Sequence, residues 1–484
     1  MLRFVALLAV AAIAVFSGQN AETVVRNAAH VAPTARQLAW QRQDFIAFIH
    51  FGPNTYDGRE WGTGKESPSI VNPMKFDPDQ WMRAFKDAGI TKVVLVAKHH
   101  DGMVLWPSRY TTQSIKHSRW RNGHGDIVGS FVAAARKYGI GVGFYLSPAD
   151  IHEALPGGRY ANGSKFRPTL IPTLVKGDDR RPKRFFRFSL DDYNRYYLNT
   201  LYELLTQYGP VQEVWFDGAN PTNRSEPYAF ADWYELVRTL QPNAVIFNGP
   251  DVNWVGNEDG IARKTQWSVV AFTTTGQPTP DQGKLTDESA ANLGGRSDLT
   301  NPKTRQLRWY PSECDATIEH HSDPSDNGSV WFWHPADYPR TLAALQTMYY
   351  DSVGRNCVLL LDVPPNTQGL LDVRDVARLH ELGAWIRNEF GRPLAAANGV
   401  AIHAPKPVTF GSVALQERIE DGQRVEQFVV EANVHGAWKQ IAQGTTIGYK
   451  RLLKLPRPVT ASEVRVRVLQ SRDTPEVAGV QLYR

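Results

Sequence analysis

Carboxylates, histidines and aromatic side chains collect at the ends of strand-like runs in this chain, a set of groups that suits a sugar ring. Val214-Trp215-Phe216-Asp217-Gly218-Ala219 is an apolar run that closes on one carboxylate and a chain-turning glycine. Residues two apart on a strand share a face, so Trp215 and Asp217 are expected side by side, an aromatic wall beside an acid. His50-Phe51-Gly52, Lys98-His99-His100-Asp101-Gly102 and Tyr145-Leu146-Ser147-Pro148 end three earlier runs in a similar way. One such ending says little, because an Asp at a strand end also serves as a turn or helix cap. Four in succession point to a single polar-ligand pocket, since parallel α/β barrels carry their catalytic groups at the C-terminal strand ends.

Hydrolysis of a glycosidic bond needs two carboxyl groups. Asp217 supplies one. For the second, Glu258 stands in the glycine-flanked loop Gly256-Asn257-Glu258-Asp259-Gly260 with Trp254 close by, Glu313 stands in Pro311-Ser312-Glu313-Cys314-Asp315, and Glu60 precedes Trp61. Distance along the chain does not rank these three. Adjacent His99 and His100 point to opposite faces for as long as the chain stays extended, which argues against chelation of one ion by the pair. A metal reading would need His50, one of that pair and an Asp. Neutral imidazoles bonding sugar hydroxyls fit better, because each ring both donates and accepts. Histidines bonded only to backbone are the bland alternative.

The elements that must position these groups follow from periodicity. Strands are expected over 44–49, 92–97, 141–146, 212–216 and 244–247, with helices over 78–88, 126–138 (Asp126 as N-cap), 190–208 and 228–240. Further strands over 265–270 and 307–310 flank a Gly/Thr/Pro/Asp-rich loop. A helix over 338–352, a strand over 357–361 and a closing helix over 372–389 complete the alternation. The pattern predicts an α/β fold, a (β/α)8-like barrel with one or two helices degraded. A doubly wound open sheet is the rival, and the lack of a Gly-rich phosphate loop after the first strand counts against its nucleotide-binding forms. From about residue 395 helix signals vanish and β-branched alternation takes over, as in a small β-sandwich. Trp438 and Tyr449 there are expected in its core. The division is therefore 1–21 leader, 22–392 catalytic domain and 393–484 C-terminal domain.

The aromatic share suits a carbohydrate site, although core packing uses aromatics too. Aromatics make up 11% of 484 residues, with 14 Trp, and aromatic walls are one use for them. The net charge of +5 is modest, and no dense tract argues for nucleic acid. Arg3, the apolar residues 4–16 and the small and polar residues 17–21 read as a signal peptide. That apolar run is shorter than the roughly 20 residues of a membrane span, and no later segment is long enough to span. The expectation is export to the periplasm or medium. Cys314 and Cys357 form no disulfide framework or metal set. Two buried thiols are expected, with a single bridge as the alternative.

Taken together, these motifs resemble the α-L-fucosidases of glycoside hydrolase family 29 over roughly residues 40–390. The resemblance rests on His50-Phe51-Gly52, Glu60-Trp61-Gly62, Lys98-His99-His100-Asp101-Gly102, Leu105-Trp106-Pro107-Ser108, Tyr145-Leu146-Ser147-Pro148 and Trp215-Phe216-Asp217-Gly218-Ala219, six motifs in the family's order. It implies a barrel followed by a β-sandwich, and a retaining enzyme with no metal or organic cofactor, acting on a fucosylated oligosaccharide or glycoconjugate. By the same resemblance Asp217 is the nucleophile. His50, Glu60, Trp61, His99, His100, Tyr145 and Trp215 match positions lining the fucose pocket, and Trp331 looks like the late aromatic that closes it. Trp254-Val255-Gly256-Asn257-Glu258 is similar to the acid/base motif of the α-1,3/4-selective subgroup, which favours Glu258 with Glu313 as the alternative. Ile447-Gly448-Tyr449-Lys450-Arg451 also resembles that subgroup, while an arginine used by some members has no match. Action on another L-sugar such as α-L-galactose, or glycan binding without catalysis, are the competing expectations.

Overall fold

The computed structural model describes residues 20–178, 180–182, 184–218, 220, 225–279, 290–320 and 331–484. Eight parallel strands form one sheet: β1 (Phe45–Ile49), β2 (Lys92–Lys98), β3 (Gly141–Leu146), β4 (Glu213–Trp215), β5 (Val245–Phe247), β6 (Asn253–Trp254), β7 (Ser312–Thr317) and β8 (Val358–Asp362). Their order is β5-β4-β3-β2-β1-β8-β7-β6. A single parallel bridge, Phe247 to Val252, links the two ends and nearly closes the ring. The (β/α)8-like expectation holds.

Strand alternation sorts the side chains into two layers. Phe48, Val94, Tyr145, Trp215, Phe247 and Leu360 pack inside the barrel, over Trp40 of the helix Ala35–Gln41. Ala47, Val93, Leu95, Phe144, Val214 and Leu361 face outward onto the helices. Helix Pro78–Ala88 shows how local sequence sets these elements: Asp77 accepts from the Gln80 amide, Pro78 opens the first turn, and Trp81, Phe85 and Ala88 turn to the core. Losing such a cap costs about 1 kcal/mol.

Among the described residues, two crossovers show no long helix. Residues 248–252 alone join β5 to β6. Between β6 and β7 the chain forms an antiparallel pair, Val269–Phe272 with Gln306–Trp309. Those two runs are the ones expected near 265–270 and 307–310, and they lie outside the barrel sheet. The barrel's sixth and seventh strands come instead from 253–254 and 312–317, where short length and inward-facing Glu313 and Asp315 hide the apolar pattern.

After the helix Val373–Phe390 the chain builds a six-stranded antiparallel sheet. Its long strands Ala401–Glu417 and Arg451–Ser471 carry register shifts, where bulges bend a sheet. Its core includes Phe410, Val413, Leu415, Phe428, Val430 and Val464. Trp438 departs from the core expectation: it is exposed and stacks on the Arg465 guanidinium at 4.0 Å. Tyr449 is half-buried, and its amide donates to Asn356 Oδ1 at 2.8 Å, tying the sheet to the barrel. Asp44 and Lys450 add an ion pair across the same junction.

The leader expected over 1–21 falls almost wholly on residues 1–19, outside the described residues. Asn20 caps a helix, Ala21–Ala28, whose Val24 and Ala28 pack with Leu299 and Ile419.

The expectation of two free thiols is overturned. Cys314 on β7 and Cys357 just before β8 form a disulfide, with Cα atoms 6.1 Å apart. The pairing of β7 with β8 sets Cys314 opposite Leu359 and so brings the two sulfurs together across a separation of 43 residues. Closing a loop of that length stabilises by about 4 kcal/mol in the chain-entropy picture. Cys314→Ser/Cys357→Ser should therefore lower the urea midpoint well outside measurement error, and an unchanged midpoint would contradict a formed bridge.

Candidate active site

The strand ends meet at one place. His50, just past β1, sets its Nδ1 2.9 Å from Asp362 Oδ1 at the end of β8, and the same oxygen accepts the His50 amide at 3.1 Å. With Nδ1 as the donor, Nε2 is left as an acceptor. His100 is oriented likewise. Ser147 Oγ gives its proton to the Ala149 carbonyl at 2.7 Å and so accepts from His100 Nδ1 at 2.7 Å. His99 and His100 do not diverge: the register of β2 shifts between Val96 and Lys98 and the strand ends there. Their ring centroids lie 4.2 Å apart, and both rings belong to the pocket. His99 stacks near Tyr145, while His100 faces Trp61 at 4.2 Å.

Burial pushes His50 down to about 3 and His100 to about 4, and it holds His99 well below the usual imidazole range. The nearby carboxylates Asp217 and Glu258 pull His50 the other way without prevailing. Above pH 5 all three rings are neutral, the state that suits hydroxyl ligands.

Asp217 emerges two residues beyond β4 and keeps partial exposure, its side chain being 29% accessible. Tyr145 Oη donates to Asp217 Oδ2 at 2.9 Å. Burial first, and the Asp217 charge second, hold that phenol well above its ordinary range, so it stays a donor. His100 Nε2 lies 3.6 Å from the same oxygen, beyond hydrogen-bond range. Trp215 lies flat on Phe247 at 4.0 Å.

The three candidates for the second carboxyl part company. Glu313 is fully buried inside the barrel, where it accepts from Trp215 Nε1 at 2.9 Å beside Glu213. Glu60 sits on the β1 loop, with its Oε2 facing the Trp331 amide at 3.4 Å, and so ties that loop to the late aromatic segment. Trp331 packs against His50 at 5.1 Å. Glu258 is exposed on the loop after β6, and its charge acts on His50 and on Asp315, as does that of Asp217.

The Glu258 loop is held on both sides. Val255 donates to the Glu313 carbonyl and Gly260 to the Asp315 carbonyl, both at 3.0 Å, and Asp259 bridges Ala316. Asn257 Oδ1 accepts from the amides of Asp259 and Ile261. Gly256 and Gly260 take left-handed φ values of +92° and +69°, which explains the flanking glycines.

Sequence reasoning missed Asp362, the partner of His50, and Asp315. Asp315 is buried on β7 and accepts from Trp254 Nε1 at 2.8 Å. Burial, then the Glu258 charge, raises its carboxyl well above the usual range. A carboxylate two places from Glu313 on one strand face was the available signal.

A parallel barrel that presents carboxylates among neutral histidines and tryptophans at its strand ends is the frame of a glycoside hydrolase. The family model for alpha-L-fucosidase matches residues 37–389, and the chain belongs to that family, glycoside hydrolase family 29. It is 35% identical over 494 residues to alpha-L-fucosidase 1 of Arabidopsis thaliana, covering 93% of this chain and 87% of that one. A family 29 member from an unknown rumen bacterium is similar in structure, with a TM-score of 0.75 and 31% identity over 93% of this chain and 77% of that one. A family 29 fucosidase of Ruminococcus gnavus, solved in complex with fucose, gives a TM-score of 0.73 and 28% identity over 94% and 95% of the two chains.

The buried histidines make a pH test. Signals of His50, His99 and His100 in ¹⁵N-histidine spectra should keep neutral shifts from pH 8 down to about 5, because their proton affinities are lowered below that window. Titration of any of the three near pH 6.5 would contradict the burial described.

Proposed function

We propose that this enzyme releases terminal α-L-fucose with retained configuration, in two steps through a covalent intermediate. Asp217 attacks the anomeric carbon while Glu258 gives its proton to the departing oxygen. Glu258 then takes a proton from water, and that water breaks the ester to Asp217. His50, His99, His100, Glu60 and Trp61 hold the sugar hydroxyls and ring faces, with Tyr145, Trp215 and Trp331 completing the wall.

The observation that carries this reading is the placement of two carboxyl groups at the strand ends, Asp217 held by Tyr145 beyond β4 and Glu258 on a loop fastened to β7 at Glu313, Asp315 and Ala316. Glu313, sealed beneath Trp215, cannot reach a leaving group without opening the barrel core. Attack by Asp217 removes one negative charge from the pocket, and Glu258 then turns from acid to base.

An α-1,3/4 linkage preference is supported by the likeness of Trp254 to Glu258 to one subgroup's motif. Export is supported by the signal-like residues 1–21 and by the disulfide, a bond typical of oxidising compartments.

Two experiments test the assignment. Asp217→Gly should lose turnover by several orders of magnitude and regain it with azide, giving a fucosyl azide; unchanged turnover would rule out the nucleophile. Glu258→Ala should slow hydrolysis of fucosyl oligosaccharides far more than of nitrophenyl fucoside, whose leaving group needs no proton, and Glu313→Gln should show no such split. The reverse pattern would transfer the role to Glu313. Across a panel of fucosylated oligosaccharides, α-1,3 and α-1,4 links should be cleaved fastest, and cleavage of α-1,2 or α-1,6 links alone would contradict the preference.

A further inference from the structure

The positive charge of the chain is concentrated in one segment. Residues 165–187 hold eight Lys and Arg against two Asp, a formal +6, whereas the whole chain totals +5, so everything else sums to −1. This segment contains most of the antiparallel hairpin Arg167–Ile171 with Phe186–Leu190, inserted between β3 and the helix Asp192–Gln207.

Alternation gives the hairpin two sides. Ile171, Phe186, Phe188 and Leu190 are buried in the core. On the other side Leu170 pairs with Arg187, and both are exposed. Phe166, Leu170 and Phe185 are each 45% accessible and Leu174 59%, so four large apolar side chains are exposed on the same hairpin segment as the cations. Lys176, Arg181, Arg184 and Arg187 are exposed, and none has an ion-pair partner among the described residues.

The exposure does not come from a dangling loop. Tyr110 Oη donates to the Thr173 carbonyl at 2.9 Å, the Thr173 amide donates to Asn199 Oδ1 at 2.7 Å, and Arg109 holds Asp178 at 3.0 Å. A merely solvated face would carry the charges without the Leu and Phe side chains. An acidic polysaccharide or nucleic acid would accept the arginines but offers no hydrocarbon for Leu170 and Leu174. Cations interleaved with large apolar side chains match the boundary between anionic headgroups and acyl chains.

We propose that this hairpin docks the enzyme on an anionic lipid bilayer. Phe166, Leu170, Leu174 and Phe185 enter the headgroup–acyl boundary, and Arg181, Arg184 and Arg187 pair with lipid phosphates. The hairpin follows the strand that carries Tyr145, so docking keeps the pocket close to surface-borne glycans.

Cosedimentation of the purified protein with phosphatidylglycerol/phosphatidylcholine vesicles tests this. Binding is expected on these vesicles at low salt, with loss on pure phosphatidylcholine and weakening at high salt. Arg181→Gln/Arg184→Gln/Arg187→Gln should lower the partition coefficient by about fivefold per charge, on the order of 100-fold together. Leu170→Ser/Leu174→Ser/Phe185→Ser should also lower it, and both variants should hydrolyse soluble nitrophenyl fucoside at the parent rate. If either triple variant loses that activity through misfolding, Arg184→Gln alone carries the test at about fivefold. No binding to anionic vesicles, binding that survives these substitutions, or capture by heparin without capture by vesicles would overturn the proposal.

Discussion

A lysine ammonium sealed inside the barrel sets the constraint on which the site depends. Lys92, the first residue of β2, pairs with Glu213 on β4, and neither side chain reaches solvent. Trp40 donates to the same carboxylate at 3.1 Å from below. Taking two charges out of water costs several kcal/mol each, and removing one partner of such a pair costs about 3–5 kcal/mol because the other is stranded. Strand β4 is therefore held to its register. A slip of one residue would turn Glu213 outward and Trp215 away from the pocket. Glu313 lies beside Glu213, is held neutral by burial and by that neighbour's charge, and accepts a hydrogen bond from the Trp215 indole N–H. The aromatic floor and Asp217 beyond it inherit their positions from this layer.

Above that layer Asp217 lies close to neutral groups supplied by the described residues. The three histidines are neutral, and one donor to Asp217 is the Tyr145 phenol, held by burial far from ionisation. A buried ammonium or imidazolium at this point would pair with the carboxylate and blunt it as a nucleophile. The other carboxylate stands on a loop fastened to β7 at Glu313, Asp315 and Ala316. The Cys314–Cys357 bridge fastens β7 in turn to β8, whose last residue, Asp362, orients His50. Strands, bridge and loop thus form one connected frame around the proposed sugar pocket.

Much of this was legible in the sequence. Helix 78–88 and strand 141–146 were bounded correctly because capping residues, glycines and periodicity agree there. Asp126 caps its helix as expected, accepting the Gly129 amide at 2.7 Å. Strands β6 and β7 were missed for a physical reason. Residues whose side chains serve the barrel interior as Glu313 and Asp315 do are polar, so the apolar signal of a strand is absent where chemistry displaces it. The runs 269–272 and 306–309 misled in the opposite sense, being apolar strands that pair with each other outside the barrel. The histidine pair escapes strand alternation because that rule applies only while a chain is extended, and β2 stops at Lys98. Partnerships such as His50 with Asp362, 312 residues apart, depend on strand register that no local pattern contains.

The claim that Asp217 bonds covalently to fucose is tested most directly by trapping. Incubation with a 2-deoxy-2-fluoro-fucosyl fluoride slows both steps, and the good leaving group lets the intermediate accumulate. Peptide mass spectrometry should then find one fluorofucosyl group esterified to Asp217. A label on another carboxylate, or release of inverted product with no label at all, would contradict it.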